Sequence, residues 1–325
     1  MSRYRRAQSA RDPFVATHAP TLSTENEASE AAADGVRIET IALRRPGPED
    51  PVHAFTVDVE DWYQSCIDFD APITERVVRN VDRTLDVLND CGVKATFFVQ
   101  GRVAEAFPRL VESLTLEGHE VQSHGHTHRP LFSLDRNGLR DELERARAAV
   151  EDAAGTRVTA FRAQDFSIVQ DNLWALDVLA EVGFEIDSSI FPLRTNRYGI
   201  AGWELGPHIV KLDTGASLLE VPVAIWARRR WRLPVAGGGY FRVLPATVLD
   251  RALAAIATSG RPGIVYSHPY EFNATELAEY RGIVPARFLR SQGLGRRSFA
   301  PRVRRLLTRQ RFGRFDDVLR AWGAT

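Results

Sequence analysis

From residue 52 onward the apolar positions fall into short runs that alternate with helical stripes. Residues 52–57 form an apolar run of strand type that ends in the acids Asp58, Glu60 and Asp61. Across 73–89, Ile73, Val77, Val81, Leu85 and Leu88 recur at helical spacing, and Cys91-Gly92 marks the stop. A second buried strand is expected at 94–99, then a helix over 103–116 that Pro108 either interrupts or restarts. A third strand leads from His119 into a loop carrying His124, His126 and His128. Helices over 137–154 and 172–181 then alternate with strands at 158–161 and 184–186, with Gly183 as a helix stop. From 203 to 236 the pattern changes to short β-like runs. A helix over 246–258 and a strand at 263–267, ending at His268, restore the first rhythm. This order predicts a parallel sheet covered by helices, either open or closed into a barrel.

One regularity links the pattern to chemistry. Asp58, Glu60, His124, Arg162, Asp187 and His268 each sit at or just past the C-terminal end of a predicted strand. In parallel α/β folds those ends share one face, and sites are built there. His124 and His128 are close enough in a compact turn to reach one metal ion, for which imidazole nitrogen is a good ligand. Asp58 and Glu60 face the same side of a continuing strand. They read as one metal ligand and one general base, against the plainer alternative of a solvated acidic loop. Two histidines and a carboxylate leave positions open on a divalent ion, which is the arrangement of a catalytic site. Arg162 would pair with a carboxylate and hold it ionised. His268 is placed to act as a general acid. Asp187 either orients His268 or caps the next turn through Ser188 and Ser189. His126, between the two candidate ligands, is expected to point elsewhere, as a supporting or surface residue.

Composition narrows the class. The chain has 325 residues, enough for one large α/β domain with extensions. A formal net charge of zero gives no global field for nucleic acid. Charge is uneven, however: Arg296, Arg297, Arg302, Arg304, Arg305, Arg309, Arg311 and Arg314 crowd the C-terminal part. They read as a solvated helical extension, or as peripheral contact with a membrane surface or an exopolysaccharide machinery. Residues 1–50 are polar and without period, and are expected to be a disordered leader. The expected division is therefore leader 1–50, catalytic barrel 51–275 and basic extension 276–325 packed on or beside the barrel. Cys66 and Cys91 make no disulfide framework, no apolar run approaches ~18 residues, and no apolar segment follows Arg5 and Arg6. The location expected from these features is cytoplasmic.

The segments Thr56-Val57-Asp58-Val59-Glu60-Asp61, Ser123 to His128, Phe161-Arg162-Ala163, Asp187-Ser188-Ser189 and Val265-Tyr266-Ser267-His268 occur in the order of five motifs. Together they resemble those of the polysaccharide deacetylases, carbohydrate esterases with a NodB-like domain. Asp58 to Trp62, Gly237 to Pro245 and His268-Pro269-Tyr270-Glu271-Phe272 are similar to the exosortase-associated branch. The resemblance implies a distorted (β/α) barrel and removal of N-acetyl groups from an amino-sugar polysaccharide or oligosaccharide. It also implies one divalent ion, zinc first, with cobalt or another first-row metal as the alternative. Carried onto this chain, it gives Asp58 as base, His124 and His128 as metal ligands and His268 as acid. Arg162 would hold the base and Asp187 would support the acid. Relatives with an acid-x-acid spacing favour Glu60 as the metal carboxylate, with Asp61 in reserve. Rival readings are an amidohydrolase of a small amide or cyclic ureide, and a non-catalytic glycan-binding protein. Trp62, Tyr63, Trp203, Trp226 and Tyr240 would line a sugar groove or else belong to the core.

Overall fold

The computed structural model describes residues 36–229 and 231–325. Its strands are β1 (Val36–Thr40), β2 (His53–Val59), β3 (Thr96–Val99), β4 (Glu120–Ser123), β5 (Ala160–Phe161) and β6 (Ile186–Asp187). They continue with β7 (His208–Leu212), β8 (Ser217–Glu220), β9 (Ile225–Arg228), β10 (Trp231–Pro234), β11 (Gly263–Ser267) and β12 (Phe312–Gly313). The main sheet runs β1-β7-β8-β6-β5-β4-β3-β2-β11, and it is parallel from β8 to β11. Past β11 the ladder becomes irregular. Ala224 N–H donates to the Ile264 carbonyl at 2.8 Å, and Tyr266 N–H to that of Ala236 at 2.7 Å. The segments around the β9–β10 hairpin thus cover the edge that β11 would otherwise expose, and this is the distortion in the barrel.

Alternation along β2 sets the inside. Phe55, Val57 and Val59 pack with the surrounding helices, while Ala54 packs in a second cluster with Phe98, Ala160, Leu219, Val221 and Ile264. Phe315, Val318, Leu319 and Trp322, from the helix Phe315–Trp322, complete that second cluster. One mouth of the barrel is therefore filled by apolar side chains. Asp58 and Glu60, further along β2 on the Ala54 side, face the other mouth.

Two expectations change. The leader does not extend to residue 50: β1 pairs antiparallel with β7, and Arg44 N–H donates to the Trp322 carbonyl at 2.8 Å. The rest of that expectation, residues 1–35, lies outside the described residues. The arginines of the extension are less free than expected, several being paired at the surface. Arg304 pairs with Asp90, Arg309 with Asp250, and Arg314 and Arg320 with Asp316 and Asp317. Arg302 donates to the carbonyls of Phe241 and Arg242, and Arg296 is buried. Among the described residues, no helix is long and apolar enough to cross a membrane.

Two buried histidines tie strand starts together and carry a pH prediction. His53 Nδ1 accepts Gly263 N–H at 3.0 Å, and His119 Nδ1 accepts Ala95 N–H at 3.1 Å. An accepting Nδ1 must be unprotonated. Burial, with Arg311 near one and Lys94 near the other, lowers His53 to about 3 and His119 to about 4. Unfolded histidine takes up its proton near pH 6.5, so between there and pH 4 the unfolded chain binds more protons. The stabilisation is present above pH 6.5 and is lost as the medium is acidified. The urea midpoint is expected to fall between pH 7 and pH 5, and His119→Gln to shrink that fall. An unchanged pH dependence in the variant contradicts the assignment.

Candidate active site

The acids at the end of β2 are held by different partners. Arg162, fully buried, donates from Nη1 to Asp58 Oδ1 at 2.8 Å and to Thr56 Oγ1 at 2.6 Å. Its Nη2 reaches Ser188 Oγ at 3.2 Å, and its guanidinium lies 4.2 Å from the centre of the Phe98 ring. The Asp58 carboxylate is thereby fixed at the inner wall. Glu60 points into a cluster of imidazoles. Its Oε2 meets His128 Nε2 and lies 3.8 Å from His124 Nε2. Its Oε1 accepts from the Tyr270 hydroxyl at 2.9 Å and lies 3.6 Å from His268 Nε2. Burial acts to raise Glu60, but the charge of His128 outweighs it with help from His268 and His124, and holds the carboxyl well below its usual range. Asp61 is used otherwise. Its Oδ1 caps the helix Trp62–Cys66 by accepting Tyr63 N–H at 3.0 Å, and its Oδ2 accepts Thr74 N–H at 3.0 Å.

The histidine loop is shaped by three features. Gly125 has φ 71°, and a Cβ there would stand 2.4 Å from Gln164 Nε2, so the position needs glycine on two counts. Glu142 accepts the N–H groups of His126 and Thr127 at 2.9 and 2.6 Å and pins the loop from the helix Arg136–Ala154. His128 itself takes φ 63°, an uncommon conformation for a residue with a Cβ. Gln164 is the buried amide packed over Gly125. The loop turns His124 and His128 inward and His126 away. His126 is buried against Glu105 Oε1 at 3.1 Å, so it is not a surface residue.

His124 Nδ1 lies 2.9 Å from the Arg162 carbonyl, so Nδ1 carries the proton and Nε2 is left as a donor of electrons. Glu60, His124 and His128 each offer one ligand atom, and these atoms lie within 4.8 Å of one another, all buried. Glu60 Oε2 meets only imidazole nitrogens among the described residues. Two imidazole nitrogens and a carboxylate oxygen suit zinc or a first-row neighbour, and the residues fit such an ion.

His268 completes the cleft, but its partner is not the one expected. Asp187 stands in register with Phe161, whose ring packs outward, so its side chain leaves the barrel on the far side of the wall. It accepts from Ser189 Oγ and is paired with Glu220; burial raises the carboxyls of both. At His268 Nδ1 stands Glu271 Oε2, 3.2 Å away. Glu271 was missed because no strand end announces it; the signal was an acid three residues past a histidine. Of the aromatics read as groove or core, Trp62 and Trp203 are core residues, while Tyr63, Trp226 and Tyr240 keep partial exposure. Cys66 and Cys91 are free thiols.

Residues 60–185 match the polysaccharide deacetylase family, and residues 188–320 match a domain of unknown function, DUF3473. The two matches divide the cleft. Glu60, His124, His128 and Arg162 fall in the first, and His268 and Glu271 in the second. A chitin deacetylase of Pestalotiopsis sp is 31% identical over 31% of this chain and 34% of its own length. A peptidoglycan-N-acetylglucosamine deacetylase of Bacillus cereus is 30% identical over 29% of this chain and 35% of its own. A chitooligosaccharide deacetylase of Bradyrhizobium is 34% identical over 30% and 42%. The chain thus spans about a third to two fifths of these curated relatives. A solved structure described as a putative polysaccharide deacetylase of Mycobacterium smegmatis superposes with TM-score 0.57 at 20% identity. That match covers 89% of this chain and 96% of the other, and it supports the fold.

Proposed function

We propose, from the match of residues 60–185 to the polysaccharide deacetylase family, that the chain hydrolyses N-acetyl groups of an amino-sugar polysaccharide or oligosaccharide. The observation that carries the reading is convergence. Asp58 clamped by Arg162, the Glu60–His124–His128 cluster and His268 share one mouth of one barrel, brought together from four separate stretches of sequence.

A divalent ion held by Glu60, His124 and His128 would polarise the acetamide carbonyl and acidify a water beside it. The chain's own residues do the rest. Asp58 takes the proton of the attacking water, and Arg162 keeps its carboxylate aimed through the 2.8 Å contact. His268 gives the Nε2 proton to the departing nitrogen, the C–N bond breaks, and acetate and a free amine result. Tyr270, through its hydroxyl on Glu60, fixes the orientation of that carboxylate. Zinc is the ion we favour, and N-acetylglucosamine oligomers of chitin or peptidoglycan type are the substrates to try first, since the matched relatives are named for them.

The test is acetate release from a panel of N-acetylated oligosaccharides by protein reconstituted with zinc or cobalt, with His124→Ala as control. Release from at least one oligosaccharide, abolished in the control, is expected. No release from any member while small amides are hydrolysed would replace the polysaccharide with a small-molecule substrate.

A further inference from the structure

We infer that Glu271, backed by Arg242, is the residue that positions His268 for proton donation, an inference that rests on the deacetylase reading. The geometry is local and closed. Glu271 Oε2 faces His268 Nδ1 at 3.2 Å and accepts the backbone N–H of the same histidine at 3.1 Å. Pro269 at the start of the turn Pro269–Glu271 favours that return of the chain. One carboxylate oxygen therefore fixes both the ring and the backbone that carries it.

The second oxygen of Glu271 is engaged as well. Arg242 Nε lies 3.2 Å from Oε1, and Arg242 itself donates to the Gln292 carbonyl. A buried carboxylate is costly unless paired. Here the pairing is His268 on one oxygen and Arg242 on the other. Burial acts to raise Glu271, but the bond to His268 and the charges of His268 and Arg242 hold it below the usual carboxylate range. The imidazole face is held too: the Tyr270 ring stacks on it at 4.9 Å and 7°. Tyr270 is in turn fixed by Arg296, which donates to its carbonyl at 2.5 Å and lies 5.2 Å from its ring. These groups all lie within residues 188–320, and Asp187, turned through the barrel wall, is in no position to replace them.

The consequence is directional. With Nδ1–H given to Glu271, Nε2 is the nitrogen turned into the cleft, 3.6 Å from Glu60 Oε1. As the C–N bond breaks, the nitrogen keeps the bonding electron pair and takes the Nε2 proton. Glu271 stays ionised throughout and balances the imidazolium before transfer. Glu271 is thus a positioning residue, acting through His268.

The test compares two leaving groups. An amine needs the proton of His268, whereas the phenolate of 4-nitrophenyl acetate leaves without one. Glu271→Gln is expected to lower kcat for N-acetyl release roughly a hundredfold with KM little changed. Aryl acetate hydrolysis should stay within about twofold, because metal, water and Asp58 are untouched. In metal-free protein the low-field proton resonance of His268 Nδ1 is expected to move upfield in the variant. Should Glu271→Gln fail to fold, Glu271→Asp, which keeps the charge, must show the same split on a smaller scale. Equal losses on both substrates, or none on either, overturn the role. Wild-type protein that cleaves the aryl acetate but no N-acetyl sugar defeats the deacetylase reading instead, and the Nδ1 resonance still decides the Glu271 contact.

Discussion

Asp58→Asn is expected to leave metal content near normal and to reduce acetate release by roughly 10²–10⁴-fold, the span over which a general base contributes. The side chain keeps its size, so the inner wall is not opened. What is lost is the ability to accept a proton from water. A second effect must be separated from the first. Arg162 is wholly buried and donates to Asp58 at 2.8 Å, so a neutral amide leaves a buried guanidinium without its counter-charge. Breaking such a pair by removing one partner costs about 3–5 kcal/mol of stability. Here the loss is softened, since Thr56 Oγ1, Ser188 Oγ and the Phe98 ring still hold the cation. A lower unfolding midpoint with intact metal binding is therefore part of the expected result. Activity assayed well below that midpoint isolates the chemistry. A folded Asp58→Asn protein as active as wild type removes Asp58 from the mechanism.

What could be read from residues alone followed from how each signal arises. Strand ends were legible because apolar runs stop abruptly at charged or imidazole side chains, and this brought Asp58, Glu60, His124, Arg162 and His268 onto one face. Which way a side chain leaves a very short strand was not legible. β6 is only Ile186–Asp187, too short for alternation to give an inside or outside for Asp187. Its register with Phe161 settles the direction, and register is a tertiary fact. β1 was missed for a different reason. Val36 and Ile38 alternate with polar residues over too short a stretch to stand out from the leader, and the strand exists only through its pairing with β7. The ion pairs of the arginines after residue 295 were not legible because their partners, such as Asp90 and Asp250, are distant in sequence. The split of the helical stripe at 103–116 was foreseeable: Pro108 opens the second of two helices, Gly101–Ala106 and Pro108–Leu116.

Glu60→Gln and His124→Ala are expected to abolish metal uptake, whereas His126→Ala and Asp61→Asn retain it. The contrast discriminates because Glu60 and Asp61, and likewise His124 and His126, are neighbours in sequence that differ in placement. The ligand atoms of Glu60, His124 and His128 lie within 4.8 Å of one another, while His126 is buried against Glu105 and Asp61 caps a helix. Replacing Glu60 by glutamine keeps an oxygen for the Tyr270 hydroxyl but removes the only charge in the ligand set. Binding to the folded state alone stabilises by RT ln(1 + [L]/Kd), about 2.7 kcal/mol at a hundredfold excess over Kd. Wild type, His126→Ala and Asp61→Asn should therefore gain thermal stability on adding zinc, each from its own starting midpoint. Asp61→Asn should start lower, by about 1 kcal/mol for a weakened cap. Glu60→Gln and His124→Ala should show no zinc-dependent shift, and metal analysis of dialysed protein should find them empty. Chelation of the wild type should reproduce their midpoint behaviour, and acetate release should fall with the metal occupancy. Full zinc occupancy in Glu60→Gln, or its loss in Asp61→Asn with the fold intact, moves the carboxylate ligand from Glu60 to Asp61.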